Sequence, residues 1–312
     1  MTSIKNKKIF ITGGAGYLGK ELIKHFYSDN QITIYSRDEA KHYFLKKQYP
    51  NLNCVIGDVR NYELLKRSSK NNDIGIFAAS LKQIEACHTN YEEAEEVIVK
   101  GAFNSRKIAE DNGFESACFI SSDKSRSATT IYGAMKYVAG ESFISGTSNV
   151  LLSTAIYGNI VNSTGSILPL IWNSLNNKLP ITLYDPEMTR FLLTIGDAVS
   201  VVEKSLKYTN VNVIPVAKSF FISDLFDIFK DKYGLKFNIS KPRSGEKIHE
   251  IMASSEEIPR MEFIEKDDIY LLHQEKTFCK PSFPNNEYSS RDNCLSKKDL
   301  DQFLKIHNYF KP

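Results

Sequence analysis

Residues 8–26 read KIFITGGAGYLGKELIKHF, an apolar strand-like run, a glycine-rich turn and an amphipathic helical pattern in immediate succession. The glycines satisfy both G-x-G-x-x-G, counted from Gly14, and G-x-x-G-x-x-G, counted from Gly13. Glycine permits backbone conformations closed to other residues and lets a phosphate approach the amides at a helix N-terminus. The strand before and the helix after supply the context that glycine spacing alone lacks. Gly13, Gly16, Tyr17, Leu18 and Gly19 are therefore the expected contacts of a dinucleotide.

Working outward, strands are expected near 8–12, 32–35, 53–56, 74–78, 116–121 and 150–156, separated by segments of helical character. Strand–helix alternation implies a parallel sheet covered on both faces, and right-handed crossovers wind it doubly, with ligands gathered beyond the strand C-termini. The expected fold is α/β, a doubly wound parallel (Rossmann) sheet in residues 1–160 with a returning segment near 191–218. Pro169, Pro180, Pro186, Pro215 and Pro242 break the second half into shorter pieces, which suits a smaller C-terminal substrate-binding part over 161–312. The second strand ends in Ser36-Arg37 where an acidic residue would grip the ribose hydroxyls of NAD, and a guanidinium suits the extra phosphate of NADP. Gly57-Asp58-Val59 follows the third strand, with Asp58 placed to accept from an adenine amine. The small residues Ala78-Ala79-Ser80 end the fourth and leave room for the cofactor.

The chemistry concentrates in residues 119–136, FISSDKSRSATTIYGAMK. A buried strand carries Ser122, Asp123 and Lys124 to its C-terminal end, and Tyr132 and Lys136 follow on one face of a helix. A lysine cation beside a phenol favours its ionised, proton-accepting form, suited to a sugar or alcohol hydroxyl. Spacing alone decides nothing, because Tyr43 with Lys47 and Tyr62 with Lys66 repeat it.

Composition sets bounds. The 312 residues, 42% hydrophobic and 25% charged with a net charge of +3, describe an ordinary globular chain and give no sign of a nucleic-acid binder. The five cysteines, Cys54, Cys87, Cys118, Cys279 and Cys294, lack C-x-x-C spacing, so no metal site is expected and a reducing compartment fits. No apolar run approaches the ~18 residues that span a bilayer. The expectation is a cytoplasmic protein without a membrane span.

At this point the chain resembles the extended short-chain dehydrogenase/reductases, and within them the inverting UDP-N-acetylglucosamine 4,6-dehydratases of the polysaccharide-biosynthesis type. The resemblance rests on the ordered set TGGAGYLG, YSRDE, GDVR, Ser80-Leu81-Lys82, SSDK, YGAMK, YGNIVNSTGS, MTRF, SGEKIHE and EYSS. The Asp-Lys pair matters most, since relatives that retain configuration carry Asp-Glu there. The resemblance implies bound NADP that takes a hydride from C4 and returns it to C6, so that no net oxidation occurs. It implies Tyr132 as the base at the 4-hydroxyl, Lys136 on the nicotinamide ribose, and Ser122 beside them. Lys124 is then the base at C5 and Asp123 the acid at the departing 6-hydroxyl. A lysine base must be neutral, and Lys82 and Lys136 are the expected positive surroundings that lower its pKa. The resemblance places Lys82 near cofactor and sugar, and substrate contacts at Asn159, Ser166, Thr189, Arg190, Arg243 and Glu246, in a nucleotide-sugar-binding C-terminal part. Family members assemble, so a homo-oligomer is expected.

Several positions depart from the family pattern. Gln83, Glu85 and His88 replace a histidine, a proline and a carboxylate; Val97-Ile98 replaces Thr-Asn; Ile156 replaces an arginine and Ala128 a proline. These changes touch the pocket wall, and they keep open an epimerase or oxidoreductase of nucleotide sugars on the same scaffold, or a non-catalytic NADP-binding regulator. A 4-epimerase has no use for Asp123-Lys124, and regulators tend to lose the phenol.

Overall fold

The computed structural model describes residues 4–242, 245–276, 283 and 286–311. Fifteen strands are found among them: β1 (Lys8–Thr12), β2 (Gln31–Ser36), β3 (Asn53–Ile56), β4 (Ile74–Phe77), β5 (Ser116–Ile120), β6 (Leu151–Ala155), β7 (Ile181–Leu183), β8 (Thr189–Leu192), β9 (Val211–Pro215), β10 (Lys218–Phe221), β11 (Phe237–Ile239), β12 (Ile251–Ala253), β13 (Met261–Ile264), β14 (Ile269–His273) and β15 (Tyr288–Ser289). Nine build one sheet in the order β13-β14-β9-β6-β5-β4-β1-β2-β3. From β3 to β9 every pairing is parallel, and β14 and β13 then add an antiparallel edge. The architecture is the doubly wound one expected.

The sheet forms because its strands are apolar on both faces, and alternate residues sort between two cores. Ile9 and Ile11 of β1, with Cys118 and Ile120 of β5, enter the cluster that receives Leu22, Ile23 and Phe26 from the helix Tyr17–Phe26 and Val199 and Val202 from the helix Ile195–Ser205. Phe10, Ala117 and Phe119 point the other way, against Ile108, Ala139 and Phe143 of the helices Gly101–Asp111 and Ile131–Ile144. A third core gathers Leu168, Ile171, Phe226, Phe229, Leu300 and Leu304, and the two-stranded pairs β8–β10 and β7–β11 lie in this part of the chain. Residues 211–215, 261–264 and 269–273, beyond position 160, lie on the large sheet. No helix of the described residues is long and apolar enough to cross a membrane.

β1 lies between β2 and β4, the point where strand order reverses. The loops leaving the C-terminal ends of β1, β4, β5 and β6 carry the glycine turn, Ala78–Lys82, Ser122–Lys124 and Tyr157–Ser166. That crevice is where open α/β sheets bind ligands.

Candidate active site

The glycine turn is shaped by backbone contacts. Gly13 has φ +70°, and a Cβ there would lie 2.8 Å from the Ala79 amide nitrogen and 2.9 Å from the Ala78 carbonyl oxygen. Thr12 fastens the same junction: its carbonyl accepts from the Ala78 amide at 3.2 Å and its hydroxyl from the Ala79 amide at 3.2 Å. At Gly19 a Cβ would meet Gly14 Cα at 2.5 Å, so the helix sits directly on the turn. The helix begins after Gly16 with no side-chain cap and no acidic residue in its first turn. The amide donors at Tyr17 and Leu18 thus have no carboxylate competing for them, the arrangement an anionic pyrophosphate requires.

Beyond β2, Ser36 Oγ hydrogen-bonds His42 Nε2 at 2.6 Å. The guanidinium of Arg37 is largely exposed, 3.8 Å from Asp58 and 4.0 Å from Glu93. Arg60 grips Asp58 through Nε at 2.9 Å and Nη2 at 2.7 Å, and this bonding holds the carboxyl below its usual range. Val59 is buried beside it. Ser80 donates to the Leu81 carbonyl, and Lys82 reaches across the crevice to the Thr164 carbonyl at 2.7 Å.

Of the five expected catalytic residues, Ser122, Asp123, Lys124 and Tyr132 meet at one strand end, and Lys136 lies buried one turn further along the helix of Tyr132. Ser122 Oγ donates to Asp123 Oδ1 at 2.9 Å and also meets the Tyr132 phenol. Lys124 Nζ lies 3.1 Å from Asp123 Oδ1, 3.0 Å from Asn159 Oδ1 and 3.2 Å from Glu250 Oε1. Close approach of the helix Ile131–Ile144 needs Gly133, because a Cβ there would collide with the Lys124 carbonyl oxygen. Thr130 caps this helix by accepting from the Gly133 amide at 3.1 Å, which fixes Tyr132 one residue before the contact.

Electrostatics departs from expectation in two ways. Burial works against the Lys124 cation, but Asp123 and Glu250 outweigh it and hold the ammonium above its ordinary range. The expected lowering by Lys82 and Lys136 is therefore overturned: the nearest charged groups are carboxylates, and Lys82 is bonded to Thr164. Burial pushes the Lys136 pKa down to about 7, and the amine donates to the Ile120 carbonyl at 2.8 Å. Burial also raises the Tyr132 phenol to about 12, with the Lys124 cation pulling it back down. The cation acting most on the phenol is Lys124 rather than Lys136.

Asn159, Ser166, Arg190 and Glu246 line one cavity of about 490 Å3 between the β6 loop and the segment 179–191, along with Leu183, Tyr184 and Phe220. Ser166, which lines it, has a buried hydroxyl without a hydrogen-bond partner among the described residues. Arg190 is tied to the protein, donating to the Thr189 carbonyl at 2.7 Å and to Glu246 at 2.9 Å. Thr189 is not brought to the cavity: it is fully buried and its hydroxyl bonds His249 Nδ1 at 2.8 Å and Ser290 Oγ at 2.7 Å. Arg243 lies outside the described residues.

Two charged residues escaped the sequence reading. Glu250, 4% exposed, closes the cage around Lys124. Arg126, 2% exposed, anchors the turn after Lys124 by ion pairs to Glu257 at 2.6 Å and Glu141 at 2.9 Å. An arginine within an otherwise small, polar SDKSRSAT run was the available signal for Arg126.

A model of the family described as polysaccharide biosynthesis protein matches residues 9–273. The chain belongs to this family. Within it, the chain is 33% identical to an "uncharacterized membrane protein" of Methanocaldococcus jannaschii, covering 98% of this chain and 97% of the relative. It is 32% identical to a UDP-N-acetylglucosamine 4,6-dehydratase (inverting) of Campylobacter jejuni, covering 96% and 97%. It is 31% identical to a UDP-glucose 4-epimerase of Rickettsia massiliae, covering 82% and 80%. Among solved structures, Pen from Bacillus thuringiensis superimposes with a TM-score of 0.90 at 24% identity over 98% of this chain and 99% of that one, which shows a common fold. The polysaccharide-biosynthesis chain is thus an enzyme-family member of the extended short-chain dehydrogenase/reductase kind, among relatives that are dehydratases and epimerases of nucleotide sugars.

Of the chain's departures from the family pattern, Gln83, Glu85, His88 and Ala128 are exposed, and Val97, Ile98 and Ile156 lie in the apolar cores. Val97 and Ile98 are buried in a π-helical turn, Glu96–Lys100, and pack with Cys87 and Tyr132 in the apolar cluster behind the phenol. Ile156 is fully buried.

Proposed function

We propose that this chain is a nucleotide-sugar 4,6-dehydratase acting on UDP-N-acetylglucosamine or a close relative, with NADP as its cofactor. The observation that carries the reading is the meeting of two chemistries at one strand end: a phenol, and an acid–amine couple joined to it by the Ser122 hydroxyl. NADP at the glycine turn would accept the hydride from C4 and give it back at C6. Tyr132 takes the proton of the 4-hydroxyl, and Lys136 orients the ribose. The 4-ketone acidifies C5–H, so Lys124 removes that proton while Asp123, whose burial raises its pKa, protonates the departing 6-hydroxyl. Arg37 is the proposed partner of the NADP phosphate.

The second reading, a nucleotide-sugar 4-epimerase, is favoured by one observation: Lys124 rests as an ion-paired ammonium, and an epimerase needs no base at C5. Incubating the purified protein with a panel of UDP-sugars separates the two. A dehydratase yields a product lighter by one water with a new methyl signal. A product of unchanged mass with C4 inverted would overturn the proposal.

A further inference from the structure

Resting on the NADP reading, we infer that His42 sets the preference for NADP over NAD by committing the Ser36 hydroxyl to donate to the 2′-phosphate. Ser36 is the last residue of β2, and its backbone is held from both sides of the cofactor crevice. The Tyr35 carbonyl accepts from the Gly13 amide at 2.9 Å, and the Ser36 carbonyl accepts from the Gly57 amide at 3.1 Å. What is left free at Ser36 is the direction of its hydroxyl hydrogen.

His42 removes that freedom. It is 5% exposed on the helix Glu39–Gln48, with Nε2 2.6 Å from Ser36 Oγ, and its Nδ1 is buried without a hydrogen-bond partner among the described residues. Burial outweighs the nearby Asp38 carboxylate, lowers the ring's pKa and so favours the neutral form. A neutral imidazole has one N–H and one lone pair. Buried N–H groups are rarely left orphaned, so the lone pair belongs on Nδ1 and the hydrogen on Nε2. Nε2–H then donates to Oγ, and the hydrogen of Ser36 is left for an acceptor other than the imidazole.

That choice separates the two nucleotides. The opposite tautomer would point the Ser36 hydrogen at Nε2 and leave only lone pairs for a ligand. Lone pairs suit the 2′-hydroxyl of NAD, which can donate, whereas a phosphate dianion only accepts. Hydrogen bonds to an ionised acceptor are about twice as strong as neutral ones, so a hydroxyl committed to donate favours the phosphorylated ribose. The charges alongside agree. The Arg37 guanidinium is largely exposed, while Asp38, whose carboxylate could otherwise take the ribose hydroxyls of NAD, accepts from the Lys41 amide at 3.0 Å and pairs with the Lys41 ammonium at 2.6 Å. His42 is a positioning residue in this scheme: it acts on the nucleotide through Ser36.

The test equilibrates the full chain with an equimolar mixture of NADP and NAD, removes free nucleotide by gel filtration and measures the retained pair by mass analysis. H42F has a ring without an N–H and should lower the retained NADP-to-NAD ratio about 10-fold, the loss of one hydrogen bond to a charged group. H42Q keeps an N–H donor and should stay within about 3-fold of wild type. In an S36A background H42F should change the ratio less than about 2-fold, because the ring acts only through that hydroxyl. A ratio unmoved by H42F, or moved equally with and without Ser36, overturns the inference, since a merely structural ring weakens both nucleotides alike. If H42F fails to fold, nitrogen NMR of the isotope-labelled wild-type imidazoles decides, with the His42 signals assigned by their absence from H42Q: the Nε2–H tautomer supports the inference and the Nδ1–H tautomer overturns it. Wild-type protein that retains mainly NAD sinks the NADP reading itself, whereas an NADP-retaining wild type with an unchanged ratio in H42F sinks only the role of His42.

Discussion

Three helices of this molecule carry a tyrosine with a lysine four residues later, and two of them show opposite chemistry. In Tyr62–Ser68 the pair lies at the surface: Tyr62 and Lys66 both bond Asp111, and this bonding raises the lysine's pKa. In Ile131–Ile144 both side chains are buried, and burial drives Lys136 down to about 7. Tyr43 with Lys47 repeats the exposed case, the ammonium stacking 4.4 Å over its own neighbour's ring. Identical spacing sets a shared helix face. What sets the buried pair apart is desolvation together with the strand end that delivers Ser122, Asp123 and Lys124.

The sharpest way to break this comparison is to remove one hydroxyl from each helix. Tyr132→Phe should lower hydride transfer, followed as nicotinamide absorbance on adding UDP-sugar, by about 1,000-fold or more, whereas Tyr62→Phe stays within about 2-fold. Next comes the glycine that permits close approach. Gly133→Ala drives a methyl into the Lys124 carbonyl and should cost about 1–3 kcal/mol in urea unfolding, with loss of activity, as overpacking does.

A third prediction uses the lysines. The folded state keeps Lys136 neutral down to about pH 7, while the unfolded chain binds that proton up to 10.5. The unfolded state therefore binds more protons across that window, and stability rises with pH through it until tyrosines begin to ionise near 10. Lys136→Met should flatten the rise in thermal melts taken from pH 7 to 9.5. Lys66→Met should not, because Lys66 is shifted the other way. The smallest effect is expected at the cofactor's far end: Arg37→Ala should weaken retention of NADP relative to NAD about 10-fold, read by mass analysis of released nucleotide, in line with loss of one charged hydrogen bond. Wild-type protein that releases mainly NAD would contradict the assignment of Arg37.

Much of this was legible in the letters because it is local. KIFIT followed by Gly13–Gly19 dictates strand, turn and helix within a single window, and the six strands expected through residue 156 match β1 to β6 within a residue. The segment SSDK reads as a strand end for the same reason. The second half was less legible because its elements are short and depend on distant partners. β12 has three residues and finds its place only by pairing with β15, more than thirty positions away. That pairing, with the Glu250 carbonyl accepting from the Ser290 amide at 2.8 Å, delivers Glu250 to Lys124. SGEKIHE contains two glutamates four apart, and nothing in it says which one faces the crevice. The charge state of Lys124 was misjudged on the same ground, since its cage is built from residues 35 and 126 positions downstream.

The most direct measurement compares Tyr132→Phe with Lys124→Ala on one nucleotide sugar, recording nicotinamide reduction and methyl formation together. The account predicts that the first variant loses both signals, while the second still reduces the nicotinamide and forms no methyl group. Equal, mild losses in the two variants would contradict it.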